Sequence, residues 1–307
     1  MTVLRRSPLL ALLLPLLPAL LPAQGRPSAR PVSWLDSIAV IASSAVARTE
    51  NISRTFNEAT RKDATTWDFM LTGSTRRQVS RETTLGLSAE AGTFLELSFD
   101  RNNRSSLGGR ASAQWKFGLG PFAPVLQGEI GLIYQATRLG SARGFTTEVS
   151  LRAAKRITPE VRTSVFAHWS DHAARGRTFD TTQFVSGVDV TWDFAEQWSL
   201  SASAGWQDGD LVVNASPGVW AAALADALNP RATAYYQSLD REVTELYGPG
   251  WVSYRNEART NLWSAALAYR PSNELTVELR LSDLYVVNHV DARYPSRSWG
   301  LSASWHF

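Results

Sequence analysis

The stretch that decides the fold runs from Thr83 to Phe99 and reads TTLGLSAEAGTFLELSF. Ala91-Gly92, in its middle, has the form of a tight turn between two short strands. The apolar residues argue for something else. Leu85, Leu87, Ala89, Ala91, Thr93, Leu95, Leu97 and Phe99 keep one parity straight through the glycine. Side chains alternate faces along a strand, so an unbroken parity means one long strand with Gly92 in its interior.

The same period recurs on both sides. Trp67, Phe69 and Leu71 alternate with polar neighbours between Thr65 and Arg77. Phe145, Thr147, Val149, Leu151 and Ala153 alternate with Thr146, Glu148, Ser150 and Arg152. Trp198, Leu200, Ala202, Ala204 and Trp206 alternate with Ser199, Ser201, Ser203 and Gly205, and Leu275, Val277, Leu279 and Leu281 with Thr276, Glu278, Arg280 and Ser282. Segments of about ten residues with one apolar and one polar face, separated by turns, are the signature of strands that cross a membrane as a barrel. The expected strands are 35–48, 64–78, 83–99, 107–117, 123–136, 145–156, 161–170, 183–194, 198–207, 257–270, 274–287 and 296–307. The fold class is therefore all-β: a transmembrane antiparallel up-and-down β-barrel of about twelve strands. An even count returns both chain ends to one side.

Turn lengths agree with this count. The connections after even strands are short: Val79 to Glu82, Gly118 to Phe122, Ile157 to Glu160, Ala195 to Gln197 and Pro271 to Asn273, with Pro159 and Pro271 suited to tight turns. The others are expected to be longer and polar. The first segment has a competing reading. Ser33 with Asp36 could be a capping box opening a helix through Val46. Strand is preferred, because omitting it gives an odd count.

The N-terminus reads as a signal peptide over 1–25. Arg5 and Arg6 precede an apolar run from Leu9 to Leu21, broken by Pro15 and Pro18, and Ala23 or Gly25 offers a cleavage site. The run is shorter than a spanning helix requires. There is no Cys for a lipid anchor or a disulfide. The domains expected are thus 1–25 and a barrel over 26–307. The formal charge is +3, and removing Arg5 and Arg6 leaves 29 basic side chains against 28 acidic ones, which gives no nucleic-acid footprint.

Aromatic residues lie near strand ends: Trp67, Trp115, Phe117, Trp169, Trp192, Phe194, Trp198, Trp206, Trp299 and Trp305. Such girdles anchor barrels at headgroup level, although a soluble sandwich could also bury aromatics. The last strand separates the two readings. Trp299-Gly300-Leu301-Ser302-Ala303-Ser304-Trp305-His306-Phe307 resembles the terminal strand of bacterial outer-membrane β-barrel proteins, with Trp305 and Phe307 in register. The resemblance implies export to the cell outer membrane, with Phe307 and Trp305 as the signal read by the barrel-assembly machinery. The whole chain is also similar to single-domain barrels of about twelve strands, a likeness that implies a fold and no activity.

On the polar faces sit Asp68, Arg76, Glu90, Glu96, Arg110, Lys116, Glu129, Glu148, Arg152, Arg162, Asp189, Asp193, Glu278 and Arg280. Ionisable groups in membrane segments face a cavity or pair with one another. They are expected to line the lumen, either as a water-filled path for small polar solutes or as ion pairs closing it. Twelve strands lie between packed barrels of eight and porins of ~16–18. The function expected is a porin-like pore for small polar solutes, and the alternative is a closed structural or surface-interaction barrel.

The longest connection, 208–256, contains an apolar stripe at helical spacing: Val219, Trp220, Ala223, Leu224 and Ala227. A short helix stopping near Pro230 is expected there, serving as a constriction in the mouth or as a surface cap. His168-Trp169-Ser170-Asp171-His172 resembles the His-x-Ser-Asn stretch of outer-membrane phospholipase A and lipid A deacylases. That likeness implies His168 and Ser170 as a base-activated nucleophile pair of a lipid hydrolase. Asp171 replaces the family's Asn, and the outward set Val161, Thr163, Val165, Ala167 and Trp169 turns His168 and Ser170 toward the lumen, away from lipid. His289 and His306 are isolated. No metal or cofactor site is expected. The partners expected are outer-membrane lipids and lipopolysaccharide, the latter through loop arginines Arg101, Arg104, Arg138, Arg143, Arg175 and Arg177, whose alternative reading is ordinary solvated charge.

Overall fold

The computed structural model describes residues 38–307; the expected signal peptide and positions 34–37 lie outside the described residues. The strands are β1 (Ile38–Thr49), β2 (Ala64–Gln78), β3 (Thr83–Glu96), β4 (Arg104–Lys116), β5 (Val125–Thr137), β6 (Gly144–Arg156), β7 (Val161–Ala174), β8 (Thr181–Ala195), β9 (Trp198–Ala215), β10 (Arg241–Val243), β11 (Val252–Tyr269), β12 (Leu275–Asn288) and β13 (Arg293–His306). Neighbours in sequence pair antiparallel from β1 to β9, β9 pairs with β11, and β13 returns to β1. Twelve strands close the barrel. The short β10 lies outside the ring, paired only to the start of β11.

The first segment is a strand throughout its described length. β1 pairs with β2 on one side and β13 on the other, from Ile41↔His306 to Thr49↔Ser298. A helix there would leave two strand edges unpaired inside a membrane, where no water can satisfy them. The chain end joins this seam: the Phe307 amide donates to the Val40 carbonyl at 2.8 Å. Gly92 is interior to β3, in register with Met70 and Ser106. A Cβ there would lie 3.1 Å from the Phe69 carbonyl oxygen and 3.2 Å from Ser106 Oγ, so the close approach favours glycine. β3 stops at Glu96 rather than Phe99, because Asn103 Oδ1 takes the Glu96 amide at 2.7 Å and a short 3-10 turn follows.

At the end holding the start of β1 and Phe307, the connections are 79–82, 117–124, 157–160, 196–197 and 270–274. The opposite loop end carries 50–63, 97–103, 138–143, 175–180, 216–251 and 289–292. Of these, 138–143, 175–180 and 289–292 are as tight as the turns, shorter than expected. One face of the wall bears the exposed apolar side chains, among them Leu71, Leu87, Leu107, Ile130, Leu151, Val188, Leu279 and Leu301. Aromatic girdles flank that belt. Trp115 stacks with Phe117, Trp192 contacts Phe194, and Trp198 stacks with Tyr269 at the turn end. Trp67, Trp206, Trp263 and Trp299 lie toward the loop end. From Trp198 to Trp206 a tilted strand rises roughly 20 Å, close to the apolar height of such barrels.

The long connection differs most from expectation. Residues 208–215 and 252–256 are not loop; they extend β9 and β11, paired from Val252↔Ala215 downward. The β8–β9 ladder ends at Gln183↔Gly209, where glycine's φ of 129° and a would-be Cβ 2.3 Å from the Thr182 carbonyl mark the parting of the strands. The projecting hairpin then carries α1 (Pro217–Ala225), α2 (Pro230–Ser238) and β10. Pro230 starts a second helix rather than stopping the first. It occupies N1, where proline loses no bond, and Asn229 caps the helix by accepting from the Ala232 amide at 3.1 Å.

These elements form a lid at the loop end. Leu211, Val213 and Ala215 of β9, Val252 and Tyr254 of β11, and Tyr294 of β13 pack with Val219, Trp220, Ala232 and Tyr236 of the helices. A second cluster joins Leu246, Tyr247 and Trp251 to Ile52, Phe99 and Leu139 of three other loops.

Candidate functional site

The polar face of the wall holds the candidate site. Its hub is Arg110 on β4, in register with Ser88 of β3 and Gly131 of β5. Arg110 Nε lies 3.1 Å from Glu90 Oε2, and Nη2 reaches Glu90 Oε1 at 3.2 Å, a two-pronged contact. Nη1 contacts Glu129 at 3.3 Å and Glu148 at 2.6 Å. Glu148 is two strands away, and Gly131 makes this reach possible: a Cβ there would stand 3.1 Å from Arg110 Cγ. Three carboxylates thus surround one guanidinium, all partly solvent-accessible, and the hub carries excess negative charge.

A second group lies on β6 to β8. Arg152 pairs with Asp189 at 3.0 Å, Ser164 Oγ donates to Asp189 at 3.0 Å, and the guanidinium lies 5.7 Å from the Phe166 ring centre. Phe166 covers Gly187, in register beside it, whose missing side chain gives the ring its place. Glu278 and Arg280, two apart on one face of β12, pair at 2.9 Å. Asp68, Arg76, Lys116, Arg162 and Asp193 share the polar face but have no ion pair within 4 Å among the described residues. Glu96 is fully buried against the lid, where Asn102 Nδ2 donates to its Oε2 at 2.6 Å. The structure therefore gathers eight of the fourteen expected residues into ionic groups: Glu90, Arg110, Glu129 and Glu148; Arg152 with Asp189; and Glu278 with Arg280.

The remaining wall differs. From β9 through β13 to β1, the same face carries small hydroxyl side chains, including Ser199, Ser203, Ser264, Ser282, Ser298 and Ser302, interrupted by the Glu278–Arg280 pair on β12, with Ser282 and Ser298 bonded at 2.6 Å. The lumen thus has a charged arc facing a hydroxyl arc.

Arg104 was expected in a surface loop, and Arg54 is a candidate that the sequence does not single out. Arg104 belongs to β4, not to a surface loop, and lies over the Phe94 ring at 4.5 Å. Carrying the Arg110 parity back through Gly108 and Ser106 would have found it. Arg54 sits in the 50–63 loop, where no periodicity points to it. Of the other loop arginines, Arg101 pairs with Glu245 at 3.1 Å and Arg138 with Asp100.

His168 and Ser170 lie on the polar face of β7, opposite Ser150 and Glu148 of β6, and share no hydrogen bond. Asp171 points to the other face and accepts from Thr182 Oγ1 at 2.7 Å instead of orienting His168. The arrangement a base-activated serine needs is not assembled here. His172 is held structurally: its Nε2–H donates to the Ala142 carbonyl, and Nδ1 faces Thr146 Oγ1 at 2.8 Å.

The lid is fastened by a buried polar seam. Asn214 Nδ2 donates to the Ser53 carbonyl at 3.1 Å, Ser253 Oγ donates to Asn214 Oδ1 at 2.6 Å, and Thr244 Oγ1 meets Ser253 Oγ at 2.7 Å. Burial pushes the Tyr235 phenol up to about 12 and the Tyr247 phenol upward as well. Both stay protonated at neutral pH. Tyr247 then donates to the Ile52 carbonyl at 3.3 Å, tying the lid to the 50–63 loop.

A closed antiparallel barrel with an apolar outer belt, two aromatic girdles and a charged interior defines the class: a transmembrane β-barrel of the outer-membrane type. Comparison with solved structures agrees. An outer membrane channel from Pseudomonas putida F1 is similar with a TM-score of 0.52 and 11% identity, covering 92% of this chain and 100% of its own. The outer membrane channel DcaP of Acinetobacter baumannii gives 0.42 and 8%, covering 88% and 97%, and the KdgM porin gives 0.43 and 7%, covering 87% and 99%. At these identities the likeness is one of fold. No family model matches the chain, and neither does any curated protein.

Proposed function

We propose that this protein is a channel of the bacterial outer membrane for small polar solutes, closed at its extracellular end by a lid over 216–251. The observation that carries the reading is the Arg110 hub. Charged groups in a membrane protein are costly unless they face a cavity or neutralise one another. Here three carboxylates share one guanidinium and remain partly solvent-accessible, opposite a wall of small hydroxyl residues. An interior built only for packing has no use for that excess charge. The outer membrane channel of Pseudomonas putida F1, similar in fold, supports the same reading. An extracellular lid is supported by the general rule that short turns and chain ends lie on the periplasmic side of such barrels.

Proteoliposome swelling tests the proposal. Liposomes carrying the full-length mature protein, or a variant with 217–250 replaced by a short Gly-Ser linker, are challenged with sugars and amino acids of graded size. Ala215 and Val252 are already paired, so a short linker can join β9 to β11. The variant is expected to admit solutes faster than the intact protein. Impermeability of both, with the barrels shown to be folded, would overturn the channel.

A further inference from the structure

Beneath the lid, four strands contribute one row of facing residues: Gln207 of β9, Thr260 of β11, Val286 of β12 and Tyr294 of β13, each in register with the next. With Ser296 below and Arg54 from the 50–63 loop, they wall a recess of about 20 Å³. That is room for one ion or the head of one small group, since a single water needs roughly 10–15 Å³.

The chemistry of the recess is one-sided. Thr260 and Tyr294 are each 2% exposed, and neither Thr260 Oγ1 nor Tyr294 Oη has a hydrogen-bond partner among the described residues. Leaving a buried hydroxyl unpaired is costly, so two on one wall call for a partner. Among the described residues, the Arg54 guanidinium makes no ion pair or hydrogen bond, and Gln207 makes no side-chain hydrogen bond. A guanidinium offers five donors and no acceptor, and a phenol remains protonated at neutral pH. Arg54 also holds its backbone in the left-handed region, with φ of 53°, a conformation that a bulky non-glycine residue adopts at a cost. Its glycine-like conformation is kept with a long cationic side chain lining the recess. Leu211, Leu284 and Val286 complete the wall and lower the local dielectric, which strengthens the attraction of Arg54 for a negative charge.

We propose that this recess is a binding site for one small anionic group, a halide or a carboxylate, held by Arg54, Tyr294, Thr260 and Gln207. The assignment stands apart from the channel reading, since it needs only the lid and the wall as they are built.

Crystals of the full-length mature protein, soaked in bromide, provide the test through anomalous scattering. The expected result is a bromide peak within hydrogen-bonding distance of the Arg54 guanidinium and Tyr294 Oη. Arg54→Gln is expected to raise the bromide concentration needed for equal occupancy roughly tenfold or more, and Tyr294→Phe by less. Excess acetate added to the bromide soak separates the sources: displacement assigns the site to carboxylates as well, and retention assigns it to halides. A recess of the wild-type protein without anomalous signal would overturn the proposal, and so would a peak unchanged in Arg54→Gln, which would mark an adventitious ion only. Should Arg54→Gln fail to fold, the wild-type peak and the higher bromide concentration needed for equal occupancy in Tyr294→Phe still decide, and an unchanged occupancy in Tyr294→Phe would overturn the proposal.

Discussion

The same strands build two different interiors. Low in the barrel, the lumen faces of β9 and β11 carry Ser199, Ser203 and Ser264 opposite a charged arc, and Arg110 and Arg152 keep 25% and 52% of their side chains exposed. High in the barrel, the same faces carry Leu211, Val213 and Tyr254, and Val213 and Tyr254 are each 1% exposed. The lower region resembles a wetted surface folded inward. The upper region is packed like the core of a soluble domain. The difference shows that the loop end is closed by apolar burial and a polar seam, whereas the faces below carry charged and small hydroxyl side chains.

Removing the lid is the harshest way to break that contrast. Replacing 217–250 with a short linker is expected to leave heat-modifiable barrel folding intact on gels and to raise solute flux several-fold. Next in size, Tyr254→Ala removes an aromatic from the centre of the lid core and is expected to cost about 3–5 kcal/mol of local stability. Limited proteolysis would then cut within 216–251 while the membrane strands resist. Asn214→Ala removes the side-chain donor to the Ser53 carbonyl and the acceptor of the Ser253 hydroxyl, at roughly 1–3 kcal/mol for the two bonds. Hydrogen exchange is expected to rise in 50–63 and 241–253 and not in β4 to β7; a uniform rise would mean that lid and barrel are one cooperative unit. The smallest effect belongs to the lower region. Glu148→Gln removes one negative charge from the Arg110 hub, and in the lid-less variant it is expected to weaken cation preference, read from reversal potentials, with little change in melting.

The barrel was largely legible because period two is imposed by two unlike solvents. Lipid outside and polar lumen inside leave their mark at every position from Leu85 to Leu95, and that parity identifies Gly92 as interior. The hub was legible only as a set of residues. That Arg110 meets Glu148 depends on Gly131, two strands over from β4's other partner, which no local pattern records. The lid was the least legible part. Where Asp208, Asp210, Arg255 and Glu257 interrupt the apolar parity, the strands continue, held by β9–β11 pairing and by burial of alternate residues in the lid core. Pro230 could be read as a stop or a start, and Asn229 just before it, a good cap, was the available signal for a start. Arg54 is invisible in the same sense, since its role rests on residues from four distant strands.

Bilayer conductance of the intact protein beside the variant lacking 217–250, in a potassium chloride gradient, tests the central claim most directly. The expected result is a small or intermittent current from the intact barrel and a large, steady, cation-preferring current from the variant. Electrical silence of both folded proteins, or equal currents from the two, would contradict a lidded channel.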